Sequence, residues 1–126
     1  TDTIGPEASA LLEHRHRLTS RPLESAMCIG FERAMLVGRE TPERVSIDTN
    51  LRFSDGDSTA ELNDLVIVEV KQARFAARSP VMRALRTSGA LQLRVSKYIT
   101  GAQLLWPDVR LNRYRNRYRM MRRRIA

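Results

Sequence analysis

Polar and apolar residues alternate from Arg44 through Leu51, and this pattern constrains the fold more than any other feature of the chain. Side chains of a β-strand point to opposite faces in turn, so Arg44, Ser46, Asp48 and Asn50 are expected on one face and Val45, Ile47, Thr49 and Leu51 on the other. The preceding run Ala26 to Val37 is largely apolar, broken by Glu32 and Arg33, and Gly38 to Glu43 reads as a turn. Together they predict an antiparallel hairpin with one wet and one dry face. A second strand signal is the β-branched run Leu65 to Val70, apolar on both faces and so expected near the middle of a sheet. Its alternation puts Leu65, Ile67, Glu69 and Lys71 on one side, where a carboxylate and an ammonium emerge together at the end of a dry strand.

Helical signals flank these strands. Pro6 to Thr19 carries Ala8, Leu11, Leu12 and Leu18 among charged residues and predicts a short amphipathic helix. Ser79 and Pro80 open another helix as N-cap and first helical residue, with a stop near Gly89. A third begins near Ser96 and ends at Trp106, before Pro107. The result is an α+β chain of 126 residues, the size of one domain. No apolar run approaches the roughly 18 residues of a membrane span. The single cysteine, Cys28, has no internal disulfide partner and is expected as a buried small hydrophobe, in keeping with a reducing, cytoplasmic setting. His14 and His16 lie in a polar stretch without other signs of a nucleophile site and are expected in solvent.

The net charge of +8 conceals an asymmetry. Up to Val70 there are 13 acidic and 7 basic residues; from Lys71 onward there are 15 basic residues and one acid, Asp108. Twenty of the 22 basic residues are arginine, whose planar fork suits phosphate, although a biased base composition in the source genome would also favour arginine. The positions of the two lysines, Lys71 and Lys97, therefore carry more information than the ratio. From Arg110 to Arg124 a tail holds eight arginines, Tyr114, Tyr118 and the pair Met120-Met121 without an acid.

Charges at the end of a buried strand are costly unless they are paired, solvated or holding an ion. Glu69 and Lys71 could pair within the sheet, and Arg33 and Arg44 could be edge charges that discourage aggregation. Ser96-Lys97-Tyr98 at a helix start offers free backbone N–H groups, a hydroxyl and an ammonium in one place, a combination suited to anions, although Ser96 alone reads as an ordinary N-cap.

The strand ending Phe31-Glu32-Arg33, the strand Arg44 to Leu51, the strand Val66 to Lys71, the Ser-Pro helix and Ser96-Lys97-Tyr98, in this order, resemble the VTC (polyphosphate polymerase) family of the triphosphate tunnel, or CYTH-like, metalloenzymes. Asn112-Arg113-Tyr114 also follows the family's pattern. The resemblance spans about Arg21 to Arg115 and implies the C-terminal half of the domain over residues 1–109, followed by an Arg-rich tail over 110–126. It implies an antiparallel sheet forming about half of a tunnel-shaped β-barrel. It further implies that Arg33 and Arg44 grip phosphates, that Ser96 and Lys97 bind the polyphosphate chain with Lys71 as a weaker contributor, and that Glu69 holds Mn²⁺ or Mg²⁺. Arg33, Arg44 and Lys97 are the implied catalytic cations. The family's usual tyrosine is replaced by Phe31, and its N-terminal half, which supplies nucleotide-binding residues, is not represented.

The implied activity is ATP-dependent polyphosphate synthesis by the complete domain, with polyphosphate, ATP or another triphosphate as ligand. The alternative is a non-catalytic polyphosphate- or nucleic-acid-binding module. Nucleic acid is disfavoured, because the Arg/Tyr tail lacks an accompanying zinc-finger, RRM or helix-turn-helix signature. A half-tunnel with bare strand edges is expected to pair with its missing half or a second copy. The tail offers peripheral membrane contact as a third reading, against which stands its lack of a sustained apolar face.

Overall fold

The computed structural model describes residues 5–16, 24–110 and 119–120. Its elements run in the order α1 (Pro6–His16), β1 (Cys28–Val37), β2 (Glu43–Ser54), β3 (Thr59–Leu62), β4 (Ile67–Gln72), α2 (Pro80–Thr87) and α3 (Lys97–Leu105). The described sheet is open, antiparallel and four-stranded. β2 is its spine: β1 pairs along one side, while β3 and β4 pair with different portions of the other. The hairpin is therefore as expected, and the α+β class holds. The central strand is β2 rather than β4, whose outer edge has no strand partner among the described residues.

A bulge in β2 changes the expected division of faces. Gly30 pairs with Arg52 and Glu32 with Thr49, so β2 spends one more residue than β1 over this interval. Asn50 takes up the extra length in the left-handed region, with φ 51°. The additional residue reverses the alternation beyond it. Leu51 and Phe53 consequently join the face that carries Asp48, Ser46 and Arg44, instead of the face of Val45 and Ile47. This face is not uniformly wet: Ser46 and Asp48 are buried, as are Leu51 and Phe53. Val45 is buried on the opposite face, so both sides contribute to the small core.

α3 covers the Phe53 end of this shared face. At Gly101 an added Cβ would collide with the Phe53 ring and the Met27 sulfur, so glycine permits the close approach of helix and sheet. Ser96 caps α3 by accepting from the Ile99 amide, and the Trp106 indole N–H donates to Asp55 Oδ2 at 2.7 Å, tying the helix end to the β2–β3 turn. Bonds from the Ser58 amide and from Trp106 hold the Asp55 carboxyl below its ordinary range. α2 starts as expected, with Ser79 accepting from the Met82 amide and Pro80 in the first turn; Gly89 lies just beyond its end at φ 71°. Gln72 connects this start to the sheet by donating to Glu43 Oε2 and Ser79 Oγ. That contact with Gln72 is the main reason the Glu43 carboxyl is shifted down.

Two further expectations change. Cys28 is exposed, because it begins β1 on the face away from α3. α1 forms over Pro6–His16, but Leu11 is 58% exposed and does not supply the apolar stripe expected of an amphipathic helix. His14 is exposed, as expected, whereas the side chain of His16 lies outside the described residues.

Candidate functional site

The sheet register gathers most of the residues singled out in the sequence. Arg33 pairs with Asp48 across β1 and β2; Arg44 pairs with Lys71 and Ser46 with Glu69 across β2 and β4. Paired residues project from the same face, so Arg33, Arg44, Glu69 and Lys71 share the face that α3 partly covers. α3 begins beside this charged region. Lys97, its first residue, reaches Asp48, and Ser96 immediately precedes it.

The charged region has two parts. In one, Arg33 and Lys97 converge on Asp48, whose side chain is only 2% exposed. Arg33 Nε donates to Oδ1 at 2.6 Å and Nη2 to Oδ2 at 2.9 Å, while Lys97 Nζ lies 2.6 Å from Oδ2. The hydrogen bond from Arg33, aided by Lys97 and opposed by burial, lowers the Asp48 carboxyl to about 2. In return, Asp48 raises the proton affinity of the Arg33 guanidinium. The ring of Phe31 lies 4.9 Å from the Arg33 guanidinium carbon and 4.8 Å from Lys97 Nζ, within cation–π range. Phenylalanine at this position thus contacts both cations with its ring, although it cannot offer the hydroxyl expected of a tyrosine.

In the other part, Arg44 and Lys71 stand directly opposite one another, an arrangement of like charges that weakens a sheet. Lys71 is balanced by Glu69, two residues earlier on the same strand and 3.1 Å away; both are half-exposed or more. Glu69 and Lys71 are therefore not the buried strand-end charges expected from the sequence. β4 has β2 on only one side among the described residues, so its charged end remains open.

Ser96 accepts from the Ile99 amide through its hydroxyl oxygen and keeps its own O–H available as a donor. Among the described residues, no group of three or more His, Cys, Asp or Glu side chains forms a metal-binding cluster. Glu69 is a single carboxylate, and both oxygens of Asp48 are engaged by cations. These carboxylates do not make up an all-protein cage for a hard cation. Arg113 and most of the basic tail lie outside the described residues.

Asp48 is the residue whose importance the sequence reading missed. Aspartate is disfavoured inside strands, so its place in the alternating run with an arginine on the preceding strand was an available signal. Pairing it with Arg33 requires the register, and pairing it with Lys97 requires the docking of α3.

No curated protein and no solved structure matches the chain. The model of the VTC domain matches residues 6–106. The match includes the hairpin, the charged face and the whole of α3, and so the chain belongs to the VTC domain family.

Proposed function

We propose that the charged face binds the phosphates of polyphosphate or a triphosphate, as one wall of a tunnel-type phosphotransferase. The observation that carries this reading is the placement of Arg33, Arg44 and Lys71 on one sheet face, with Lys97 of α3 joining Arg33 at Asp48 directly after the Ser96 cap and Arg44 and Lys71 held as directly opposed like charges. A phosphate between or above these groups relieves their repulsion and accepts hydrogen bonds from both. Membership of the VTC domain family supports polyphosphate as the relevant anion.

Arg33 and Arg44 grip phosphate oxygens from the strands. Ser96 Oγ donates from the start of α3, where the unpaired backbone amides favour negative charge. Lys97 and Lys71 contribute ammonium donors on either side. Glu69 would hold Mn²⁺ or Mg²⁺ together with the phosphate oxygens, and the ion would neutralise charge on the transferring phosphoryl group when bound. Phosphoryl transfer depends chiefly on alignment and charge neutralisation, which these residues can provide without a covalent nucleophile. Tunnel closure requires further strands along the open sheet edges.

Competition between tripolyphosphate and single-stranded DNA, matched in charge and measured at two salt concentrations, tests the reading. Tripolyphosphate is expected to bind more tightly at both, because the face offers clustered phosphate donors. Equal or stronger DNA binding with a steep salt slope would instead support a nucleic-acid-binding module.

A further inference from the structure

The Asp48 carboxylate forms the junction between two cations of the site, Arg33 and Lys97. Arg33 approaches it along its Nε/Nη2 edge, so the carboxylate fixes the plane of the guanidinium and leaves the Nη1 protons and one Nη2 proton for another acceptor. Lys97 commits one donor direction to Oδ2 and retains two. Arg33 Nη2 and Lys97 Nζ share that oxygen, at 2.9 and 2.6 Å, so they are no farther apart than these two distances laid end to end. The Phe31 ring contacts both cations and limits their movement away from the junction.

A site selected only for positive charge would be weakened by a carboxylate in its midst. We propose that Asp48 is a positioning residue that holds Arg33 and Lys97 at a fixed spacing, so that a single phosphate group draws donors from both. The inference rests on the phosphate-binding reading and adds a residue that does not itself touch the ligand. It also reverses the sign expected from charge alone. Asp48→Asn removes one negative charge, which should strengthen anion binding by simple electrostatics, whereas loss of positioning should weaken it.

The decisive measurement is tripolyphosphate affinity of the wild-type chain, Asp48→Asn, Lys97→Met and the double variant, with circular dichroism as a check on folding. Asp48→Asn is expected to weaken binding roughly tenfold, the scale of one charge-assisted hydrogen bond. In the Lys97→Met background its effect should be much smaller, because the two residues act as a unit. Unchanged or tighter binding by folded Asp48→Asn would overturn the proposal, as would full additivity in the double variant.

Nuclear magnetic resonance of the ligand-free wild-type chain supplies a readout that does not require a folded variant. The Arg33 Nε–H resonance should exchange with water more slowly than those of exposed arginines, and addition of tripolyphosphate should shift the Arg33 and Lys97 side-chain signals together. Rapid Arg33 exchange, or a response from only one of the two, would overturn the inference. Failure of the wild-type chain to bind tripolyphosphate while Arg33 remains protected would instead locate the fault in the phosphate-binding reading.

Discussion

Acid acts on Asp48 through its bond to Arg33. The folded carboxyl is held at about 2, below the ordinary value of 3.8, so it remains ionised at a pH where an unfolded chain already takes up protons. Its stabilising contribution is fully present above the unfolded value and is lost as the pH falls through the folded one. Denaturant unfolding from pH 6 to pH 2.5 should therefore show the stability advantage of the wild type over Asp48→Asn shrinking below about pH 4; a constant difference would contradict the assignment. Glu69 calls for a different measurement. In any form of the protein that shows metal-dependent turnover, Glu69→Gln should abolish it while leaving most phosphate affinity, because an amide lacks the charge a hard divalent ion requires. Retained metal dependence would reduce Glu69 to the partner of Lys71.

Within the elements, the bulge of β2 and the approach of α3 form one device. Asn50 reverses the alternation, Leu51 and Phe53 then meet the helix, and Gly101 lets the helix approach closely enough for Lys97 to reach Asp48. Replacing Asn50 with valine places a β-branched residue at positive φ and should destabilise the fold by about 1–3 kcal/mol, whereas Asn50→Gly should be much milder. Thermal melts of the two variants distinguish a backbone requirement from a side-chain one. Gly101→Ala should cost about 1–3 kcal/mol through overpacking against Phe53 and Met27. It should also weaken tripolyphosphate binding, since displacement of α3 moves Lys97. An unchanged melting temperature would show that the contact yields without consequence.

For the molecule as a whole, the described sheet supplies a charged face and open strand edges, and that combination predicts binding without catalysis. On the one-wall reading proposed above, the chain incubated with ATP and Mn²⁺ should make little or no polymer, because transfer requires donor and acceptor to be clamped together. Its affinity for tripolyphosphate should still be measurable and should fall with added salt, since several of the binding groups are solvent-exposed. Robust synthesis would show either that two copies complete a working site or that transfer needs fewer residues than the one-wall reading requires. The exposed hydrophobic side chains on β1, Met35, Leu36 and Val37, make that edge the region to examine for such pairing.

Most of the elements, though not β3, and the placement of several charged residues on one face were legible locally in the sequence. Alternation specified the hairpin, Ser79-Pro80 and Ser96 specified two helix starts, and the placement of Arg44 and of the Glu69/Lys71 pair on single strand faces followed from a period of two. These are local properties, set by backbone geometry within a few residues. The central role of β2, the exposure of Cys28 and the junction at Asp48 were decided only by tertiary structure. Each depends on which strand lies beside which, and one additional residue at Asn50 reverses every side chain beyond it. Asp48 is polar in the sequence and could have faced water. It is buried because β1 delivers Arg33 and α3 delivers Lys97 to the same carboxylate, and these opposite charges offset the desolvation that would otherwise exclude it.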